Sequence, residues 1–233
     1  MKKLILGIPS KGRLMEQAQE LLVKAGFGVE RIGSERGYRG IVRGLENVEV
    51  AFLSAADIAA ALKSGAVDLG ITGLDLLRET IAPDNPIADV VLRLNFGPAD
   101  VVVAVPDFWI DVAQMADLDE VAAQFYSVHG RRLRVATKYF NLTRRFFAAK
   151  GVTGYRIVES LGATEGAPAA GSAELIVDIT TSGATLKANH LKVLDDGLVL
   201  SSSAVLAARR GTARDQRAQE MVRLIIRQMA PAK

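Results

Sequence analysis

The 233 residues contain no cysteine, which excludes disulfides, thiolate metal sites and cysteine nucleophiles. Histidine is nearly absent as well: His129 and His190 are the only two, and their spacing is not that of a metal-ligand pair. Charge of one sign is not in large excess. A net charge of +3 and a pI near 9.2 suit a site that gathers polyanions without requiring nucleic acid. Aromatics make up 6%, and the basic run Arg131, Arg132, Arg134, Lys138, Arg144, Arg145 lacks the interleaved aromatics of a nucleic-acid surface. It reads as a solvated face with one or two substrate contacts. No stretch approaches the roughly 20 apolar residues of a membrane span. Residues 1–9 begin like a signal peptide, but Lys11 and Arg13 cut the apolar segment short and no small-residue cleavage site follows. The expected address is the cytoplasm, with neither membrane nor nucleic acid as a partner. Both common nucleotide fingerprints, Gly-x-x-x-x-Gly-Lys-Ser/Thr and Gly-x-Gly-x-x-Gly, are missing.

What is present is a 49% hydrophobic chain, enough for a core of one large domain or two small ones. Its organising stretch is residues 174–189. Leu175, Ile176, Val177 and Ile179 form an apolar run interrupted by Asp178 alone, the pattern of a buried parallel strand. Thr180, Thr181, Ser182, Gly183 and Thr185 then make a small, hydroxyl-rich loop, and residues 184–190 read as a short helix. A strand, such a loop and a helix start together offer backbone N–H groups and a positive helix end to a phosphate. An acid one strand-end away, Asp178, is placed to accept hydrogen bonds from ribose hydroxyls. The same residues also read as an ordinary connection with a capping Ser or Thr.

Further strand-turn-helix units recur along the chain. Residues 4–8 form a strand, and Leu14, Ala18, Leu21, Leu22 and Ala25 recur at helical spacing up to Gly26. Between them Ser10-Lys11-Gly12-Arg13 is a second anion site or a solvated basic turn. Residues 31–43 read as a glycine- and arginine-rich loop with Arg36 and Arg39. Residues 68–75 give another strand and turn, whose Thr72 and Gly73 offer N–H groups. Residues 162–168 are a small-residue loop bearing Glu165. Residues 191–194 and 199–208 read as strands, Thr212 as the cap of a final helix, and Ala218, Met221, Val222, Ile225, Ile226 and Met229 as its apolar stripe. The expected fold is α/β and two-lobed, with the ligand site in the cleft between lobes, at strand carboxyl ends. Lobe I spans 1–97 plus 195–233, and lobe II spans 98–194.

Five of these stretches, taken together and in order, resemble the ATP phosphoribosyltransferase family: Ser10-Lys-Gly-Arg-Leu14; Asp68-Leu-Gly-Ile-Thr-Gly-Leu-Asp75 with Glu79; Ala136-Thr-Lys-Tyr-Phe-Asn141; Gly162-Ala-Thr-Glu-Gly-Ala-Pro168; and Asp178 through Asn189. The resemblance implies the first step of histidine biosynthesis, in which ATP and phosphoribosyl pyrophosphate give N1-(5-phosphoribosyl)-ATP and pyrophosphate, with Mg²⁺. It implies a fold like the type II periplasmic binding proteins. With no room after residue 233 for the family's C-terminal regulatory domain, it further implies the short form: a homodimer that joins a regulatory subunit related to histidyl-tRNA synthetase in a hetero-octamer.

On this reading Arg13 and Arg36, helped by Lys11, neutralise the leaving pyrophosphate. Glu165, Asp178, Thr181, Ser182, Gly183, Ala184 and Thr185 bind phosphoribosyl pyrophosphate, and Ser10, Gly12, Thr72, Gly73 and Asp75 bind ATP. The metal is held mainly by substrate phosphates, with no protein ligand set. The alternative is a bilobal module that binds or senses a small ligand without turnover.

Overall fold

The computed structural model describes residues 3–33, 37–212 and 216–230. The chain forms two compact units, Met1–Pro98 with Ser203–Lys233, and Ala99–Ser202.

The first unit opens with β1 (Leu4–Pro9), α1 (Gly12–Lys24), β2 (Val29–Arg31), β3 (Arg39–Val42) and β4 (Val48–Leu53). Then come α2 (Ala55–Ser64), β5 (Leu69–Gly73), α3 (Leu74–Thr80) and β6 (Ala88–Arg93). Helix α1 buries Ala18 and Leu22 from its periodic stripe, and Gly26, at φ 80°, turns the chain out of it in a conformation that favours glycine. Helix α2 is capped at one end by Ser54, whose Oγ accepts the Asp57 N–H at 3.1 Å, and closed at the other by Gly65 in the left-handed region.

Residues 31–43, which read as a loop, instead contain the end of β2 and all of β3, which pair antiparallel and add to β4. Three- and four-residue strands are too short to show alternation reliably, and Gly40 hides the signal further. It has no side chain because a Cβ there would lie 2.9 Å from the Phe52 ring, so the glycine serves close packing within the sheet.

The second unit consists of β7 (Ala99–Pro106), α4 (Met115–His129), β8 (Leu133–Thr137), α5 (Phe140–Ala149), β9 (Tyr155–Glu159), a 3-10 turn (Thr164–Gly166), β10 (Leu175–Thr180), α6 (Ala184–Ala188) and β11 (Leu191–Ser202). Its sheet order is β11-β7-β10-β8-β9. Strands β10, β8 and β9 run parallel, while β7 lies antiparallel between β10 and β11. Residues 101–105 and 175–177 are buried throughout, as expected of strands covered on both faces. The expected break near residue 195 does not occur: β11 continues, with bulges, to pair Ser202 with Ala99. Asp117 lies in the first turn of α4. It occupies the third helical position of a capping box whose cap is Gln114, a reciprocal arrangement that satisfies two donors at once.

The chain returns to the first unit as β12 (Ala204–Arg209) and α7 (Gln216–Met229), completing a seven-stranded sheet ordered β2-β3-β4-β1-β5-β12-β6. Ile225 and Met229 of α7 are buried in the same core as Leu6, Leu22 and Leu206, so part of the predicted stripe is core. Thr212 donates to the Asp68 carbonyl at 3.3 Å, and the residues before α7 lie outside those described. No helix among the described residues is long and apolar enough to cross a membrane.

One ion-pair cluster locks the start of β10. Glu174 accepts the backbone N–H of Arg134 at 2.7 Å, the Arg134 guanidinium at 2.7 Å and Arg131 at 3.1 Å. Burial pushes its carboxyl up, but these donors outweigh it and hold the pKa at about 2, against 4.5 ordinarily. A depressed carboxylate contributes stability that is present above its unfolded value and lost as pH falls through the folded one. Wild-type protein is therefore expected to lose about 2 kcal/mol of this term between pH 5 and pH 3, discounted for the exposure of Arg131. Glu174→Gln removes that term, so urea melts of the two proteins should converge towards pH 3. Parallel pH responses in both would refute the assignment.

Candidate active site

The hydroxyl-rich loop and both acids of the sequence reading come together within the second unit. A cavity of about 390 Å³ is lined by Glu165, Asp178, Thr180, Thr181, Ser182 and Thr185, with Ala99, Ile179 and Leu186 completing its wall. The carboxyl end of β10 brings Asp178 here, and antiparallel pairing sets Val102 opposite Asp178 and Asp100 opposite Thr180. Leu186 is buried and anchors α6 below the loop, whereas Thr181, Ser182 and Thr185 are exposed to an incoming ligand.

The loop is preorganised by its own hydroxyls. Gly183 adopts φ 72° at the cap of α6, and its N–H donates to Thr180 Oγ1 at 2.9 Å. The Ala184 N–H donates to Ser182 Oγ at a longer 3.4 Å. Two N–H groups expected to be open for a phosphate are thus engaged by side chains of the loop itself. The weaker of them is the one a phosphate oxygen would most readily replace.

Glu165 is carried by the 3-10 turn, which follows Ala163 in a left-handed conformation at φ 48°. Such backbone in a residue other than glycine persists only where the surroundings enforce it. Thr164, almost fully buried, ties the turn down by donating to Ser160 Oγ at 3.0 Å. Burial pushes the Asp178 carboxyl above its usual range, and the charge of Glu165 adds to that. The Ile179 backbone N–H and then Lys138 pull it back. Two acids in one cavity, one of them biased towards its proton, form a site that demands a cation or a hydroxyl-bearing ligand.

In the first unit, Lys11 stands at the cap of α1 with extended backbone and makes no side-chain cap, and no acid occupies the first turn of the helix. Gly12 follows at φ 74°. Lys11, Gly12 and Arg13 are exposed, while the Ser10 N–H is bound to the Leu53 carbonyl at 2.8 Å. Thr72, by contrast, is fully buried, and its hydroxyl donates to the Ala55 carbonyl at 2.7 Å. Its side chain joins β5 to the start of α2. Gly73 makes room for Asp75, whose Oδ1 would collide with any Cβ at that position. Asp75 itself is 5% exposed. Arg36 lies outside the described residues.

Thr180 was read as part of the hydroxyl-rich loop but not among the residues that bind phosphoribosyl pyrophosphate, and Lys138 was read only within the basic run and the 136–141 motif. Thr180 had a usable signal, since it shares strand parity with Asp178. Lys138 follows the end of β8, the strand that pairs with β10, and its charge is among those acting on Asp178. A larger cavity of about 490 Å³, lined by Pro106, Trp109, Pro168, Ala173 and His190 among others, lies at the opposite strand ends and contains none of the predicted residues.

The comparisons with known proteins agree with the motifs. Residues 54–230 match the family described as HisG, ATP phosphoribosyltransferase. The chain is 60% identical over 228 residues to an ATP phosphoribosyltransferase of Mesorhizobium japonicum, covering 97% of this chain and 98% of that one. Among solved structures it is similar to the ATP phosphoribosyl transferase (HisG:HisZ) complex of Thermotoga maritima, with a TM-score of 0.73 and 28% identity over 97% of this chain and 96% of that one. A periplasmic sulfonate-binding protein of Methylobacillus flagellatus shares the fold alone, with a TM-score of 0.56 and 13% identity over 98% of this chain and 67% of that one. The fold is therefore the two-lobed α/β type of the type II periplasmic binding proteins. The chain belongs to the ATP phosphoribosyltransferase family.

Proposed function

We propose that this chain transfers the 5-phosphoribosyl group of phosphoribosyl pyrophosphate to N1 of ATP and releases pyrophosphate, the first step of histidine biosynthesis in the cytoplasm. The observation that carries the reading is the cavity in which Glu165, Asp178 and the loop Thr180–Thr185 share one wall. Thr181, Ser182, Gly183, Ala184 and Thr185 hold the 5′-phosphate there. Glu165 and Asp178 accept the ribose hydroxyls and face the positive charge that develops as the glycosidic bond to pyrophosphate lengthens. Adenine N1 carries no proton before attack, so the pocket needs no general base. Ser10, Gly12, Thr72, Gly73 and Asp75 are the ATP-binding set, in which Thr72 contributes through the backbone it fixes. Arg13 and Lys11, with Arg36, neutralise the leaving pyrophosphate, because guanidinium grips phosphate oxygens in two places.

Mg²⁺ fits this arrangement as an ion that keeps its waters and is carried by substrate phosphates. The described residues contain no group of three or more His, Cys, Asp or Glu side chains able to form a dedicated cage, which suits that mode. When bound, it lowers the charge on the pyrophosphate. The residues above position those phosphates.

The Thermotoga maritima relative was solved as a complex of HisG with HisZ. The corresponding assembly here is a homodimer that joins a regulatory subunit related to histidyl-tRNA synthetase in a hetero-octamer. The test is a steady-state assay with ATP, phosphoribosyl pyrophosphate and Mg²⁺, following phosphoribosyl-ATP, with and without that subunit. Product is the expected result. Tight binding of phosphoribosyl pyrophosphate with no product in either mixture would overturn the reading in favour of a ligand-sensing module.

A further inference from the structure

The two hydroxyls that engage backbone N–H groups of the loop stand on different supports. Thr180 is the last residue of β10 and is paired with Asp100 of β7, so its side chain is carried by the sheet. Ser182 lies beyond the strand, inside the loop. Side chains alternate between the faces of a sheet, which sets Thr180 on the face of Asp178, and both line the cavity. Spanning Thr181 and Ser182, the Thr180 Oγ1 accepts the Gly183 N–H at 2.9 Å, whereas the Ser182 Oγ accepts the Ala184 N–H at 3.4 Å. Gly183 depends on such a hold. It adopts φ 72° at the start of α6, a helix of five residues, too short to persist on its own hydrogen bonds. The far end of α6 is tied by Asn189, whose Nδ2 donates to the Thr185 carbonyl at 2.9 Å, and its underside by the buried Leu186. Thr180 supplies the tie at the near end.

We propose that Thr180 is a positioning residue for the 5′-phosphate: its hydroxyl fixes Gly183 from the end of β10, so that Thr181, Ser182 and Thr185 are presented to the ligand before it arrives. The proposal rests on the reading of the cavity as the phosphoribosyl site. Its physical basis is the cost of ordering. A free loop must give up conformational freedom when the phosphate binds, and that loss subtracts from affinity; a loop already held gives up little. A brace anchored on a strand also holds its target more closely than one anchored in a loop. The two hydroxyls therefore divide the work. The long Ser182 bond yields its N–H to a phosphate oxygen, while the short Thr180 bond persists in the complex and Gly183 serves through its left-handed backbone. The 5′-phosphate is remote from the bond that breaks, so the hold on it is the same in ground and transition states. Its effect falls on binding and not on turnover.

The experiment compares wild type, Thr180→Val and Thr180→Ser, each as the full chain with its regulatory subunit. Valine keeps the branched shape that suits a strand and removes only the hydroxyl. In Thr180→Val the KM for phosphoribosyl pyrophosphate is expected about tenfold higher, the upper end of what one hydrogen bond contributes, with kcat and the KM for ATP within about twofold. Thr180→Ser, which keeps the acceptor, recovers most of the loss. Calorimetric titration with ribose 5-phosphate, which carries the phosphate without the pyrophosphate, reads the same weakening without relying on turnover. A Thr180→Val protein that binds ribose 5-phosphate as tightly as wild type overturns the proposal. Tighter binding overturns it as well, because the threonine would then be competing with the phosphate for the Gly183 N–H. So does a Thr180→Ser variant as weak as the valine one, or an equal rise in the KM for ATP, the mark of a loosened fold. If ribose 5-phosphate does not bind wild type at all, the reading of the cavity itself fails.

Discussion

Asp178→Asn is expected to lower kcat/KM for phosphoribosyl pyrophosphate at least a hundredfold while raising the melting temperature. The first effect follows from the site. Asparagine has nearly the same shape, but its amide cannot supply a full negative charge to a carbon that becomes cationic, and interactions aimed at developing charge are the largest in catalysis, roughly a hundred- to a thousandfold each. The second follows from the direction in which Asp178 is shifted. Its folded value lies above the ordinary 3.8, so the folded state resists ionisation. Stability is lost as pH rises from 3.8 through the folded value, and the loss persists at every higher pH. A neutral side chain relieves that loss, with on the order of 2–4 °C expected for each kcal/mol recovered in a chain of this size. Below pH 3.8 the two proteins should melt alike. Thermal scans at pH 8 and pH 3.5, paired with the assay, test both halves. A variant that is both less active and less stable at pH 8 would show Asp178 to be a structural residue.

Arg13→Ala is expected to cut kcat roughly a hundredfold and leave the apparent KM for either substrate within about threefold. Arg13 is exposed in the first turn of α1, a helix start without side-chain cap or acid, where both the guanidinium and the helix end favour an anion. If its contact with pyrophosphate strengthens only as the bond to ribose breaks, the loss falls on turnover and not on ground-state binding. Arg13→Lys should recover only part of the rate, since an ammonium does not grip two oxygens at once. An alanine variant with unchanged kcat would remove Arg13 from the reaction.

Much of this was legible in the sequence for physical reasons, and the gaps have physical reasons too. Residues 175–177 are apolar without interruption because β10 is covered on both faces, and the loop after it is recognisable because Gly183 needs a left-handed backbone and a hydroxyl must hold its N–H. The residues 31–43 hairpin was missed because its strands are short and Gly40 packs where a side chain would have shown a face. Continuation of β11 to Ser202 was hidden by Asp195, Asp196 and Gly197, which look like a turn and instead fall where the register with β7 shifts. That the Thr72 hydroxyl bonds a carbonyl 17 residues away leaves no local trace in the sequence.

The order of strands in the first unit has a consequence for how the protein is made. Among the described residues strand β6 pairs with β12 alone, and β5 is separated from it by that same late strand. As the chain leaves the ribosome, residues 88–93 must therefore wait for residues 204–209, more than a hundred positions later, before they gain a sheet partner. Residues 99–202, a single uninterrupted stretch with all of its own strands, can close in the interval. The segment made first thus finishes last, and long-range pairing of this kind slows folding and leaves apolar strand edges exposed meanwhile. A chain stalled before Ala204 would carry a complete second sheet beside a first unit still lacking the strand that joins β6 to β5.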